Sequence, residues 1–170
     1  MHEFASRAIE KFLHDEAIHR VEAGLLSPGQ MLQDAAAQSG KPLDELTEDL
    51  GAWLVQQHEI WRLLRFCGSD FLDFLLHLDE LPERIRLIAD DVDVPDIALS
   101  RSADGLVWVT VSGGPPGWDA LLAGLLRAMA DDYGTLCVIT RGTEGICIDV
   151  SDSAFAEART FHLSSRARPA

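Results

Sequence analysis

The spacing of apolar residues changes near residue 90, and this change restricts the possible folds of the chain more than any other feature. Before it, apolar residues recur every three or four positions, as in helices with one buried face. After it, short runs rich in valine and isoleucine alternate with glycine-containing turns, a pattern typical of strands. Helices in one half and strands in the other predict an α+β fold, in which helices back a small antiparallel sheet.

Capping residues mark two helices in the first half. Ser27, Pro28 and Gln30 predict a helix start with a capping box, and Gly40 predicts the end of that helix. Pro42 opens the next helix, which is followed by a separate apolar segment over residues 60–66.

Glycine and proline mark three further features of the helical half. Gly51 interrupts an apolar helix, so we expect the helix to pack closely against a neighbour there. Ser69 and Asp70 can cap a fourth helix. Pro82 removes a backbone donor, so that helix should kink or restart at the proline.

The second half predicts two hairpins separated by a helix. The expected strands cover residues 97–100, 106–112, 136–140 and 145–150, the helix covers residues 118–133, and an edge strand is possible over residues 158–163. We interpret residues 1–163 as a single domain, helical to about residue 90 and sheet-containing from residue 91. Residues 164–170 are expected to form a frayed tail.

Charge and hydropathy exclude several classes of function. The chain has 28 acidic and 14 basic residues among 170, a formal net charge of −14 that argues against nucleic-acid binding. It contains no apolar run of the roughly 20 residues that span a bilayer. The amino-terminal segment has the pattern of a charged amphipathic helix rather than a signal peptide. We therefore expect a cytoplasmic protein without membrane contact.

The sequence contains no recognisable catalytic or metal-binding motif. It lacks zinc-type cysteine and histidine spacing, a nucleophile elbow and a phosphate-binding loop, so we expect neither an enzyme nor a metal site. Cys137 and Cys147 flank residues 141–144 almost symmetrically and are predicted to face each other across a hairpin. They are either small apolar core residues or a redox-responsive pair.

The segment Leu78-Asp79-Glu80-Leu81, which is followed by Pro82, resembles the proximal helix of the H-NOX (heme-nitric oxide/oxygen binding) family. In that family the helix has a Leu-Asp-x-Leu/Val-His signature, and the histidine ligates heme iron. The resemblance covers roughly residues 28–163. It implies an H-NOX-like α+β fold and a sensor function.

Two departures from the family pattern argue against its usual heme site. The ligating histidine aligns with Pro82, which cannot bind a metal. The family's Tyr-x-Ser-x-Arg motif, which holds the heme propionates, aligns with Ser112, Gly114 and Pro116, and an arginine clamp cannot be replaced by proline. We therefore expect no cofactor, with heme possible only through another ligand.

Two other histidines are candidate cofactor ligands, if heme binds at all. His77 precedes Pro82 by five residues, about 140° around an ideal helix, and should face away from the family's site as a solvated side chain. His58 is predicted near a helix end where a cation interacts well with the helix dipole.

Aromatic and apolar residues could line a residual pocket. The candidates are Trp53, Phe71, Phe74, Leu78 and Pro82. The same spacing is typical of an ordinary hydrophobic core.

These features favour a regulatory module that acts through protein–protein contacts. The expected partner is a kinase, a cyclic-nucleotide enzyme or a second copy of the chain. The alternative is a sensor of heme-bound gas or of an apolar small molecule, with a non-standard ligand in the same cavity.

Overall fold

The computed structural model describes residues 3–18, 26–89 and 92–151. Seven α-helices and four strands occur in these residues, which confirms the predicted α+β fold. The helices are α1 (Glu3–Asp15), α2 (Pro28–Ser39), α3 (Leu43–Gln56), α4 (His58–Arg65), α5 (Phe71–Leu76), α6 (Leu81–Ile88) and α7 (Trp118–Tyr133). The strands are β1 (Asp96–Arg101), β2 (Val107–Ser112), β3 (Cys137–Gly142) and β4 (Gly145–Val150).

The caps of α2 are those predicted. The Gln30 backbone N–H donates to Ser27 Oγ at 3.4 Å, and the Ser27 backbone N–H donates to Gln30 Oε1 at 2.9 Å. Gly40 ends the helix with φ +70°, a conformation that glycine adopts without steric cost. Two of the amides that the first turn of α2 leaves without helical partners are thereby satisfied.

The chain leaves helical geometry between α5 and α6, as predicted from the proline. Asp70 caps α5, because its carboxylate accepts from the Asp73 backbone N–H at 2.9 Å. A single 3-10 turn, Leu78–Glu80, follows α5, and α6 begins at Leu81 with Pro82 in its first turn. The interruption starts about one turn before the proline, because the missing Pro82 N–H would otherwise bond the carbonyl of Leu78.

The four strands form one antiparallel sheet in the order β1-β2-β4-β3. Each hairpin pairs neighbours in sequence, and β2 joins the hairpins by pairing with β4. The second turn is shorter than predicted, because Gly142 pairs with Gly145 and only Thr143 and Glu144 connect the strands. Helix α7 follows β2 in the chain and packs on the sheet.

The predicted facing of Cys137 and Cys147 is wrong. Cys137 pairs with Val150, whereas Cys147 pairs with Thr140. Because side chains alternate along a strand, Cys137 lies on the core-facing side with Ile139, and Cys147 lies on the opposite side. A disulfide between them would require the hairpin to distort.

Some predictions fall outside the described residues. The possible strand at 158–163, the domain limit at 163 and the tail at 164–170 all lie beyond residue 151. Among the described helices, none has the length and apolar character needed to cross a membrane.

Two hydrophobic clusters lie on either side of α3. One is enclosed by the sheet, α7 and the α5–α6 region, and includes Phe74, Val109 and Ile148, all fully buried. The other joins α1, α2 and α3 around Phe12 and Met31. Helix α3 contributes residues to both clusters, so it forms the centre of the described part of the fold.

Helices α3 and α7 touch backbone to backbone at two glycines. A Cβ placed on Gly51 would overlap the carbonyl oxygen of Leu121, and one placed on Gly124 would overlap the carbonyl oxygen of Glu48. The contact confirms the close packing predicted for Gly51. Glycine is required because any side chain would force the two helices apart.

Substitution of either glycine should therefore destabilise the protein. We expect Gly51→Ala and Gly124→Ala each to lower the free energy of unfolding by about 3 kcal/mol, measured by urea denaturation, because backbone atoms cannot move aside as a flexible side chain could. Gly29→Ala in α2 is the matched control, since no atom lies within 4 Å of its added Cβ. The control should leave stability unchanged or raise it by up to about 1 kcal/mol. Equal tolerance at all three glycines would contradict this packing.

Candidate functional site

The segment that resembles the proximal helix lies in the larger hydrophobic cluster. Leu78 is fully buried, Leu81 is 2% exposed, and Pro82 is also buried. Phe71 and Phe74 belong to the same cluster as Leu78 and Leu81. The structure therefore brings four of the predicted pocket residues, Phe71, Phe74, Leu78 and Pro82, to one region of the fold, where they are buried.

Three aromatic rings pack on one another in this region. The ring centroids of Phe71 and Phe74 are 6.2 Å apart, and that of Tyr133 lies 6.3 Å and 6.0 Å from them. The Tyr133 hydroxyl donates to the carbonyl oxygen of Gly68 at 2.8 Å. This bond satisfies the hydroxyl and joins the end of α7 to the start of α5.

Trp53 does not share this region with the other predicted pocket residues. It belongs to the second cluster, where its ring meets that of Phe12 edge-on at 5.8 Å. Its indole N–H donates to Asp15 at 3.0 Å. The reason is helical geometry: Trp53 and Val55 are two positions apart on α3, so they face opposite sides, and it is Val55 that enters the larger cluster.

His77 follows the last residue of α5 and is half-exposed. The predicted 140° separation from Pro82 assumed a continuous helix, which the structure does not have. Its Nδ1 lies 2.8 Å from the Asp73 carbonyl oxygen and 3.4 Å from the Asp73 carboxylate. The hydrogen bond to the carbonyl, with a smaller contribution from the Asp73 charge, raises the pKa of His77 above its usual value.

His58 is exposed and is the first residue of α4. His58 also follows the end of α3 by two residues, so it lies near a helix end as predicted, but it is at the same time at the positive end of α4, where the helix dipole does not favour a cation. Its ring lies 6.3 Å from that of Trp61. Together with Asp131 and Asp132 of α7, these two residues line a cleft of about 400 Å³ between α4 and α7.

The loop that aligns with the family's propionate-binding motif lies between β2 and α7. Ser112, the last residue of β2, is exposed, and so are Gly114 and Pro116 of the loop. Gly114 has φ +70°, and a Cβ at this position would lie 3.1 Å from Pro95. A serine in place of Gly114 would be strained, because this backbone conformation is left-handed.

The described residues do not fit heme bound in the family manner. His14 and His58 are exposed and His77 is half-exposed, so no described histidine reaches the apolar region around Pro82. The side chains of that region pack on one another. In the described part of the chain, no three histidine, cysteine or acidic side chains are grouped so that they could hold a metal ion.

A network of charged residues that the sequence does not predict lies at the α3–α7 contact. Arg141 donates to Asp44 at 2.8 Å and to Asp119 at 2.9 Å, and its Nε lies 3.3 Å from Glu48. Arg127 also pairs with Glu48. The partners are up to 97 positions apart in sequence, so no local pattern could indicate these pairs.

The raised pKa of His77 predicts a pH-dependent contribution to stability. A histidine whose pKa is higher in the folded state stabilises the fold fully below its unfolded pKa of about 6.5, and this contribution is lost as pH rises through the folded value. His77→Gln should therefore destabilise the protein more at about pH 5.5 than at about pH 8.5 in urea denaturation. An imidazole pKa at or below 6.5 in an NMR titration would contradict the expected hydrogen bond.

Comparison with known proteins places this architecture in a family. The family model described as "Haem-NO-binding" matches residues 27–141, more than half of the chain. Guanylate cyclase soluble subunit beta-2 of Homo sapiens is 27% identical over 78 residues, which are 46% of this chain and 13% of that protein. The chain thus corresponds to a small part of that relative.

Solved structures show the same fold at low sequence identity. An H-NOX protein from S. oneidensis in the Fe(II)NO ligation state aligns with a TM-score of 0.66 and 14% identity over 87% of this chain and 96% of its own. A mutant of T. tengcongensis H-NOX aligns with a TM-score of 0.65 and 13% identity over 89% of this chain and 97% of its own. By its family-model match, supported by this shared fold, the chain belongs to the haem-NO-binding, or H-NOX, family.

Proposed function

We propose that this chain is an H-NOX regulatory module that works through protein–protein contacts, without the family's heme ligation and without catalysis of its own. The observation that supports this most directly is the residue at position 82. Where the resemblance places the iron-ligating histidine, the chain has a buried proline in the first turn of α6. Proline has no side-chain donor for iron, and the neighbouring space is occupied by apolar side chains.

Exposed apolar residues around the same segment support a role in protein contacts. Phe66 is 75% exposed, Leu76 is 68% exposed and Leu87 is 86% exposed, at or near the ends of α4, α5 and α6 respectively. Contiguous apolar patches that remain in water often mark a binding surface, and we propose that these three side chains belong to one. We propose that the partner is a signalling protein, either a kinase or a cyclic-nucleotide enzyme, or a second copy of the chain in a cytoplasmic setting.

The absorption spectrum tests the loss of heme ligation. We expect freshly purified protein to show no Soret band, and added hemin to cause no saturable spectral change. A one-to-one Soret band that His77→Ala or His58→Ala abolishes would contradict the proposal. It would favour the alternative function, a heme or gas sensor with a non-standard ligand.

Capture of partners tests the contact surface. Wild-type protein and a Phe66→Ser/Leu76→Ser/Leu87→Ser variant would each be used to recover proteins from native lysate, with size exclusion to detect self-association. We expect the variant to lose at least one partner that the wild-type protein recovers, or to lose self-association if the wild-type protein forms a dimer. The control is Leu136→Ser, since Leu136 is equally exposed, at 71%, but lies just before β3. A wild-type protein that is strictly monomeric and recovers no partner would contradict the proposal.

A further inference from the structure

A cleft lies between α4 and α7, and the residues that line it are different from those of the segment around Pro82. Val55, His58 and Trp61 line one side, and Ala128, Asp131 and Asp132 line the other. Its volume of about 400 Å³ lies within the range of about 300–1,000 Å³ found for small-molecule sites. Apolar surface and a few polar groups lie together in it, as in many such sites.

Asp131 and Asp132 place negative charge at the end of α7 where the helix dipole disfavours it. Asp131 and Asp132 lie in the last turn of α7, where exposed backbone carbonyls already give a partial negative charge. The last turn has no basic residue to offset them. Within the part of the chain that is described, the Asp131 carboxylate makes no hydrogen bond or ion pair. Helix stability therefore does not explain this pair of carboxylates.

Trp61 places its ring next to these carboxylates, with the N–H edge toward Asp132. Its indole N–H donates to Asp132 Oδ1 at 2.9 Å, which fixes the ring relative to the acid. An aromatic face beside a carboxylate attracts an organic cation through both the ring quadrupole and the charge. Arg65 shows the same chemistry within the chain, since its guanidinium lies 4.1 Å over the Tyr133 ring and 3.6 Å from Asp132. Arg65 supplies one positive charge beside the two aspartates, and its ion pair is with Asp132.

We propose that this cleft binds a compact organic cation, an alkylguanidinium or alkylammonium group. Its hydrocarbon part packs between Val55 and Ala128, and its charge lies near Asp131 and the Trp61 ring. A bare metal ion fits less well, because the described residues provide no group of three metal ligands. The cation comes either from a free amine or from an arginine or lysine side chain of a partner protein. The proposal does not depend on the regulatory function proposed above.

The indole N–H resonance of Trp61 in a ¹H–¹⁵N spectrum provides a direct test, with Trp61→Phe used to assign it among the four tryptophans. We expect n-butylguanidinium to shift this resonance saturably in the millimolar range. The neutral isostere n-butylurea should not shift it, because the charge is what the carboxylates recognise.

Two charge-removing variants separate the site from the overall acidity of the chain. Asp131→Asn should weaken n-butylguanidinium binding about threefold to fivefold, the range expected for one exposed ionic contact. Asp104→Asn removes the same charge from the exposed turn between β1 and β2 and should leave binding unchanged. The proposal is overturned if the guanidinium causes no saturable shift, if n-butylurea shifts the resonance equally, or if both variants behave alike.

A pair of capped tripeptides identifies the source of the cation. If Gly-Arg-Gly competes with n-butylguanidinium and Gly-citrulline-Gly does not, the cleft accepts a side chain of a partner protein. If neither peptide competes while n-butylguanidinium still binds, the ligand is a free amine. Both results support a cation site, and neither bears on whether heme binds.

Discussion

The contact between α3 and α7 at Gly51 and Gly124 determines the positions of most other described elements. At these glycines one helix rests its backbone directly on the carbonyls of the other. Such a close approach restricts sliding and tilting of the two helices, because a displacement produces either steric overlap or a packing gap between them. Helix α3 faces the amino-terminal helices on one side, and α7 packs on the sheet. The crossing therefore joins the two halves of the α+β fold.

The charged network beside this crossing is an effect of the same geometry. Since α3 and α7 lie so close, Glu48 can meet both Arg127 of α7 and Arg141 of β3. Arg127 also donates to the carbonyl oxygen of Ile139 at 3.1 Å. In the described sheet β3 is an outer strand, and this bond occupies an acceptor of the strand that could otherwise pair with another chain.

The family fold is retained here, and we propose that its usual heme-binding residues are not. The segment that resembles the proximal helix ends at Leu81, and the next residue is a proline in the first turn of α6. Phe71, Phe74 and Tyr133 pack on one another nearby, so the fold has a continuous apolar core around this segment. A sensor fold with an apolar core of this kind can still transmit contacts between surfaces, which is the role we propose for this chain.

Most of the helices and strands could be predicted from the sequence, because they depend on local chemistry. The capping box of α2, the restart around Pro82 and the limits of α7 follow from residues that act on their immediate neighbours. Leu78 and Pro82 were also recognised from sequence as the centre of the family resemblance, because the signature is contiguous.

Tertiary structure alone decided which faces and which distant residues meet. Trp53 and Val55 separate into different clusters, and Cys137 and Cys147 take opposite sides of the sheet, because strand register and helix rotation are set by packing across the whole fold. The cleft at Trp61 joins residues about 70 positions apart. In the sequence, only the two aspartates at the end of a helix point to this cleft. The tryptophan beside them, Trp61, lies on another helix.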